Sequence, residues 1–379
     1  MTLPAKFVER VLRDLGGTEG AALCAALDAE PPVSVRLNPA KTGADTLPAG
    51  PDAGLPVPEA AGLPALAIDG RVPWSRDGRY LAVRPSFTLD PDFHAGAYYV
   101  QEASSQFVGH LLAAVRTEGA RILDLCAAPG GKTTLYASLA GPDGLVVANE
   151  IDRRRAQVLA DNVRKWGTGN VAVTTCEARQ LGGFEAWFDV VAVDAPCSGE
   201  GMFRKDRDAR GEWSEGNVKQ CAARQDEILR EAWRALRPGG TLVYSTCTFN
   251  RDEDEGALER MAAWAGDEIA ESEETAVEDA WGIVCGRVGA FRTFRFYPHR
   301  TCGEGFFAAV ARKSFDAGGR VRAPKARRTV FAAVDRKTAG ELARWVRNPG
   351  GMRFAAVADT CYAWYAAQAD AVRTLSEAL

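Results

Sequence analysis

The chain lacks any Cys-x-x-Cys pair. Its nine cysteines, at positions 24, 126, 176, 197, 221, 247, 285, 302 and 361, stand far apart. That spacing argues against zinc and iron–sulfur ligand sets, so no metal is expected. An odd count in a long chain argues against a disulfide framework, and most of these residues read as small buried hydrophobes. Histidine is scarce, with three in all, and His94 and His299 read as structural. No uninterrupted apolar run approaches the ~20 residues of a membrane span. The opening MTLPAKFVERVLRDLGG alternates charged and apolar residues, unlike a signal peptide, so a cytoplasmic location is expected. An excess of positive charge is also missing, with 46 Lys and Arg against 50 Asp and Glu and a net charge of −4. The overall balance therefore does not advertise a nucleic-acid binder. A G-x-G-x-x-G fingerprint and internal repeats are absent. A P-loop needs glycine five residues before Gly131, where Cys126 stands.

What is present is an ordinary globular composition, 46% hydrophobic and 25% charged over 379 residues. Two or three domains are expected from that length. Charge is unevenly spread: basic residues gather at 153–155, 204–210, 292–300 and 312–328, and acidic ones at 252–255 and 267–279. A local basic patch can hold phosphate even on an acidic protein, because repulsion is screened beyond about 8–10 Å. Arg204 and Lys205 are placed to grip RNA phosphates. Phe203, Tyr98 and Tyr99 are candidates to stack on bases, or else to pack in the core.

Taken in order, the first 30 residues read as one or two amphipathic helices. PPVSVRLNPAK (31–41) reads as a strand ending in a turn, and residues 42–72 are rich in Gly, Pro and Ala. VPWSRDGRYLAV (72–83) reads as a hairpin turning at Asp77-Gly78. An aromatic run from His94 precedes a helix that Ser104 or Ser105 is placed to cap. Strand and helix then alternate over residues 121–248, ending with a helix over 217–236 that stops at Arg237-Pro238-Gly239-Gly240. That alternation predicts an α/β fold with a doubly wound, mostly parallel, Rossmann-like sheet. A small α+β N-terminal domain precedes it and a short C-terminal domain follows. The expected divisions are an accessory, RNA-binding region over 1–93 and a catalytic domain over 94–313. A basic linker over 314–328 and a tail domain over 329–379 complete the chain.

Two strands organise the chemistry. DVVAV leads into Asp194-Ala195-Pro196-Cys197, and TLVY leads into Ser245-Thr246-Cys247-Thr248. In open α/β sheets the ligand crevice lies beyond the carboxyl ends of the strands. Two cysteines and an aspartate are therefore expected in one crevice. A thiolate adding to C6 of cytosine makes C5 nucleophilic enough to accept a methyl group from S-adenosylmethionine (SAM). An acid near N3, for which Asp194 stands ready, balances the charge that develops on the ring. One cysteine suffices for addition, and a second can assist proton removal or release. DLCAAPGGKTT places small residues between a strand and a helix, as the nucleoside-binding turn of a SAM enzyme does. Glu150, about 20 residues on, suits ribose hydroxyls, with Asp152 as competitor. Glu177 suits the adenine amino group. Lys132 reads as a helix-start lysine near the pocket or a contact to a flipped nucleotide.

DAPCSGEGMFRKD and YSTCTFNRDEDE, with YYVQEASS, LDLCAAPGGKTT, NEIDRRR and EGFFAAVARK, resemble the RNA cytosine-C5 methyltransferases of the Sun/Nop type. The resemblance spans roughly residues 34–312. GEGMFRKD and the short flanking domains are most similar to the bacterial 16S rRNA methyltransferase F subgroup. The resemblance implies SAM as cofactor, Cys247 as nucleophile and Cys197 as the cysteine that assists release. It implies a SAM pocket of Cys126, Ala127, Ala128, Pro129, Gly130, Gly131, Lys132, Glu150, Glu177 and Asp194. The family usually carries aspartate where Glu177 stands. The implied product is 5-methylcytidine in 16S rRNA, as naked RNA or in the small ribosomal subunit, with tRNA as the alternative substrate. A monomer is expected. The chain ends earlier than many such relatives, so an RNA-binding domain found in them is expected to be missing. A P-loop-like NTPase and a non-catalytic RNA-binding or ribosome-assembly protein are the competing readings.

Overall fold

A computed structural model of the chain describes residues 2–42, 66–327, 330–346 and 348–379. Most of the Gly, Pro and Ala-rich stretch, residues 43–65, lies outside the described residues, as do Arg328 and Thr329. The chain forms two compact units. The first gathers Met1–Val115, Val193–Leu229 and Val243–Arg312, and the second Arg116–Ala192, Arg230–Leu242 and Lys313–Leu379.

In the first unit the helices Ala5–Leu15 and Gly17–Ala26 bury one face each. Phe7 and Val11 share a face because they lie four residues apart. They pack with Leu23, Leu27, Phe203, Trp213, Val218, Phe249 and Tyr297. Each such side chain contributes about 1.5–3 kcal/mol by leaving water. Phe203 is fully buried there and Tyr98 is buried in a neighbouring cluster, so neither offers a face to a base. A four-stranded antiparallel sheet follows, ordered Ile68–Arg71, Gly78–Leu81, Val33–Leu37, Tyr98–Tyr99. The expected hairpin is displaced: its first strand is Ile68–Arg71, and residues 72–77 form the connection. The displacement has a packing cause, since Trp74 is buried and donates its indole N–H to the Ala103 carbonyl at 2.7 Å.

The expected serine cap is also replaced. Glu102 accepts the backbone N–H groups of Ser104 and Ser105 at 2.7 and 2.8 Å, while the Ser104 hydroxyl donates to the Glu304 carbonyl. A carboxylate at a helix start satisfies orphan donors and favours the dipole. Antiparallel strands Val284–Val288, Phe291–Phe296 and Phe306–Lys313 lie in that order, with Leu236–Thr246 next to the last.

The second unit holds parallel strands in the order Phe188–Asp194, Arg121–Asp124, Leu145–Asn149, Val171–Thr174. Every residue of Leu145–Asn149 is buried, the pattern of a strand covered on both faces. Helices Gly131–Ala140 and Arg153–Trp166 alternate with these strands, as an α/β fold requires. The tail forms a three-stranded antiparallel sheet, Ala332–Ala333, Met352–Val357 and Thr360–Tyr365, and the helix Ala369–Ala378. Gln368 anchors it by donating to the Pro142 and Gly144 carbonyls at 3.0 and 2.7 Å.

Strands Phe188–Asp194 and Leu236–Thr246 begin in the second unit and end in the first, so both cysteine turns belong to the first. The helix before the second of them runs Glu215–Ala235 and yields to the strand at Leu236, ahead of the expected stop. Its terminal carbonyls, Arg234 and Ala235, accept the N–H groups of Ala186 and Trp187. Among the described residues, no helix is long and apolar enough to cross a membrane.

Candidate active site

The Asp194-Ala195-Pro196-Cys197 turn and the Ser245-Thr246-Cys247 turn leave neighbouring strand ends. The Ala195 N–H donates to the Ser245 carbonyl at 2.8 Å, and the Ser245 hydroxyl donates to Asp194 Oδ1 at 2.7 Å. Beyond them the two sulfurs lie 3.3 Å apart. Both cysteines are free thiols, and the separation is well outside a disulfide bond of about 2.05 Å. One S–H donates to the other sulfur. The hydrogen bond to Cys247, then burial, then the charges of Cys247 and Glu253 hold the Cys197 thiol well above the ordinary cysteine range.

Gly201 follows because the chain must pass close to Cys247. Its N–H donates to the Cys247 carbonyl at 2.8 Å, and a Cβ there would stand 2.9 Å from that oxygen and 2.5 Å from the Gly305 carbonyl. Only glycine fits without moving backbone.

Around the thiols lies a polar network that reading the sequence missed. Glu200 and Glu253 are both fully buried. Glu253 accepts from the Ser198 N–H at 2.9 Å, Asn250 Nδ2 at 2.6 Å and Gln225 Nε2 at 3.0 Å. Glu200 accepts from the Trp213 indole at 2.9 Å and the Phe249 N–H at 3.1 Å, and Arg10 Nη2 lies 2.6 Å from it. Deeper still, Arg295 pairs with Asp254 at 2.8 Å and Glu255 at 2.6 Å. The signal lay within the two quoted motifs: Glu200 three residues past Cys197, and the acids five to eight residues past Cys247.

The basic residues are less available than their sequence implies. Arg204 has a side chain only 6% exposed, pairs with Glu304 at 3.1 Å and donates to the Gly303 carbonyl. Arg210 is buried against the Leu27 and Phe203 carbonyls and Asp28. Arg204 is thus a structural ion pair and not a free phosphate grip; Lys205 beside it is exposed. His299 does have a partner, Glu19 at 2.9 Å, and His94 meets the Thr88 carbonyl.

In the second unit, Cys126 to Gly130 form the turn after Arg121–Asp124, and Gly131 and Lys132 open the helix Gly131–Ala140. Gly130 has φ +111°, and a Cβ there would lie 3.0 Å from Leu159, so glycine is required. Buried Asp124 accepts the Thr133 hydroxyl at 2.6 Å, fixing strand end to helix start. Arg155 donates to the Ala128 carbonyl at 3.0 Å and Asn162 to the Pro129 carbonyl at 2.8 Å. The turn is held from outside, with Ala127 and Ala128 buried.

Glu150 ends the second strand as a buried carboxylate, accepting the Asp152 N–H at 3.0 Å and facing Arg155 at 3.4 Å. Asp152 instead caps the helix Arg153–Trp166 through the Arg154 and Arg155 N–H groups. Glu177 is 57% exposed and pairs with Arg179 at 2.9 Å. A small-residue turn before a helix and a buried strand-end carboxylate form a donor set that fits a nucleoside with a ribose diol. Among the described residues, no cluster of three His, Cys, Asp or Glu is arranged to hold a metal.

Residues 111–312 match the family 16S rRNA methyltransferase RsmB/F, and residues 3–103 match the N-terminal domain of 16S rRNA methyltransferase RsmF. The chain belongs to the RsmB/F family. It is a family of SAM-dependent methyltransferases. Ribosomal RNA small subunit methyltransferase F of Shewanella loihica is 35% identical over 293 residues, covering 74% of this chain and 59% of that protein. The chain thus spans about three fifths of that curated relative. A methyltransferase homolog from Pyrococcus horikoshii is 26% identical with a TM-score of 0.61, covering 82% of this chain and all of that one. NSun6 from the same organism, solved with SFG, shares the fold at 21% identity and a TM-score of 0.64, covering 82% of this chain and 98% of its own.

Proposed function

We propose that this RsmB/F-family chain methylates C5 of cytidine in 16S rRNA, through a covalent adduct between Cys247 and C6 of the base. The observation that carries the reading is the pair of free thiols 3.3 Å apart, next to Asp194 at the ends of two adjacent strands. A packing role would not need two cysteines facing each other in a polar site.

The cofactor is held by the turn Cys126, Ala127, Ala128, Pro129, Gly130, Gly131 and Lys132, with Glu150 accepting from the ribose hydroxyls. Glu177 contacts the adenine edge less strongly, being solvent-facing and paired with Arg179. Bound SAM supplies an electrophilic methyl group. The protein's own work is nucleophilic and acid–base. The Cys247 thiolate forms a bond to C6, and the proton or hydrogen bond that balances charge at N3 comes from Asp194. Once C5 carries both its hydrogen and the methyl group, a base removes the C5 proton, the C6–S bond breaks, and the Cys247 thiolate returns. Cys197 assists that last stage. Its raised pKa suits it to hold a proton beside the departing sulfur.

Incubation of the chain with labelled SAM and 16S rRNA, followed by nucleoside analysis, tests the reading. Label in 5-methylcytidine is expected. Label in another nucleoside, or none in rRNA, would overturn it.

A further inference from the structure

Glu253 has no part in the reaction proposed above, yet its carboxylate accepts three hydrogen bonds beside the thiols. It is fully buried, and among the described residues no ion pair to it is formed. One carboxylate oxygen accepts both the backbone N–H of Ser198, the residue after Cys197, at 2.9 Å and Gln225 Nε2 at 3.0 Å. The other accepts Asn250 Nδ2, three residues past Cys247, at 2.6 Å. Its own N–H donates to Asn250 Oδ1 at 2.9 Å, and its carbonyl accepts the Tyr244 hydroxyl at 2.6 Å. Gln225 also donates to the Pro196 carbonyl at 3.0 Å, so the helix Glu215–Ala235 grips the same turn. Three donors on two oxygens match an ionised carboxylate, which only accepts. Burying a charge with neutral donors alone is costly.

We propose that Glu253 is the positioning residue of the cysteine pair: it clasps the two cysteine turns together at the sulfur–sulfur contact and sets its negative charge on the Cys197 side, so that Cys247 is the sulfur left to attack. This rests on the two-cysteine reading above. Other charged and titratable groups surround the pair. Cys247 and Tyr244 come from the adjoining strand and turn. Glu200 lies on the Cys197 turn with Arg10 of the first helix against it, and Cys221 and Arg224 lie on the long helix. Asp254 stands behind with Arg295. Glu200 and Asp194 also bridge the two turns, but of the carboxylates Glu253 is the one whose charge acts on Cys197.

The test uses the full chain and reads the alkylation rate of each cysteine by iodoacetamide against pH, resolved by peptide mass spectrometry. Glu253→Gln keeps the shape and removes the charge. The Cys197 profile is expected to move down by about one pH unit, roughly tenfold in thiolate fraction at a fixed pH below both values. Methyl transfer to 16S rRNA should fall in kcat with KM for RNA unchanged, and its pH profile should shift with the alkylation profile. Glu253→Asp, which keeps the charge and shortens the reach, should lower kcat while leaving the Cys197 alkylation profile in place. Should Glu253→Gln fail to fold, Gln225→Leu removes one donor from the carboxylate and one bond to the Pro196 turn, which weakens both the charge and the clasp, so the Cys197 profile should move in the same, downward direction by a smaller amount. A folded Glu253→Gln protein with an unmoved Cys197 profile, or an unmoved profile in Gln225→Leu where Glu253→Gln does not fold, overturns the proposal. Alkylation needs neither RNA nor SAM, so it judges Glu253 even if the wild-type chain transfers no methyl group. That second failure would count against the functional reading instead.

Discussion

The cysteine turns of the first unit and the glycine turn of the second are built in opposite ways. The first is fixed by buried charge: Glu200, Glu253 and the Arg295–Asp254 pair are buried and are joined by side-chain bonds from distant segments. The second is fixed largely through backbone carbonyls. Arg155 and Asn162 hold the Ala128 and Pro129 carbonyls, and Gly130 supplies a left-handed turn. A group that must hold a nucleophile within a few tenths of an ångström is better served by buried bonds that cannot be exchanged for water. A turn that receives a neutral nucleoside needs open backbone and small side chains. The two therefore should respond differently to substitution.

The sharpest break in that contrast is Arg295→Met, which strands Asp254 and Glu255 beside the cysteine turns. Removing one partner of a buried pair costs about 3–5 kcal/mol. A corresponding drop in unfolding free energy is expected in urea titration. A loss near zero would mean the buried charges are incidental. In the second unit, Glu150→Ala should leave stability nearly unchanged and raise the SAM Kd by about 10–100-fold, the loss of a charge-assisted hydrogen bond, read by calorimetry. Glu177→Ala is the smallest effect, within about fivefold in the same titration, because its carboxylate is exposed and paired at the surface. Equal losses for Glu150 and Glu177 would erase the distinction between a buried strand-end acid and a solvated one.

The strand-turn pieces were legible because each carries its own local signal. A run of β-branched residues, a small-residue turn and a following amphipathic helix are enough to place Cys126, Glu150, Cys197 and Cys247 at strand ends. What was not legible depends on partners far away in sequence. Arg204 reads as a phosphate grip until Glu304, 100 residues on, is found against it. Arg10 carries no local signal within the N-terminal helix, yet it meets Glu200, 190 residues on. Residues 252–255 read only as an acidic cluster, yet Glu253 and Asp254 are wholly buried. Local pattern shows which residues leave water on average; it does not show which charges do. The hairpin near residue 77 slipped for a similar reason, since Trp74 took a core position that alternation alone assigns to a strand.

The most direct test of the covalent account replaces Cys197 with alanine and mixes the full chain with 16S rRNA and SAM. Cys247 should still add to C6 while release is impaired, so a protein–RNA adduct that survives denaturation is expected to accumulate. It should vanish in the Cys197→Ala/Cys247→Ala double variant, and Cys247→Ala alone should lose methyl transfer. An adduct that forms in Cys247→Ala and is absent in Cys197→Ala would reverse the roles of the two sulfurs, and no adduct with full methyl transfer in both single variants would contradict covalent catalysis altogether.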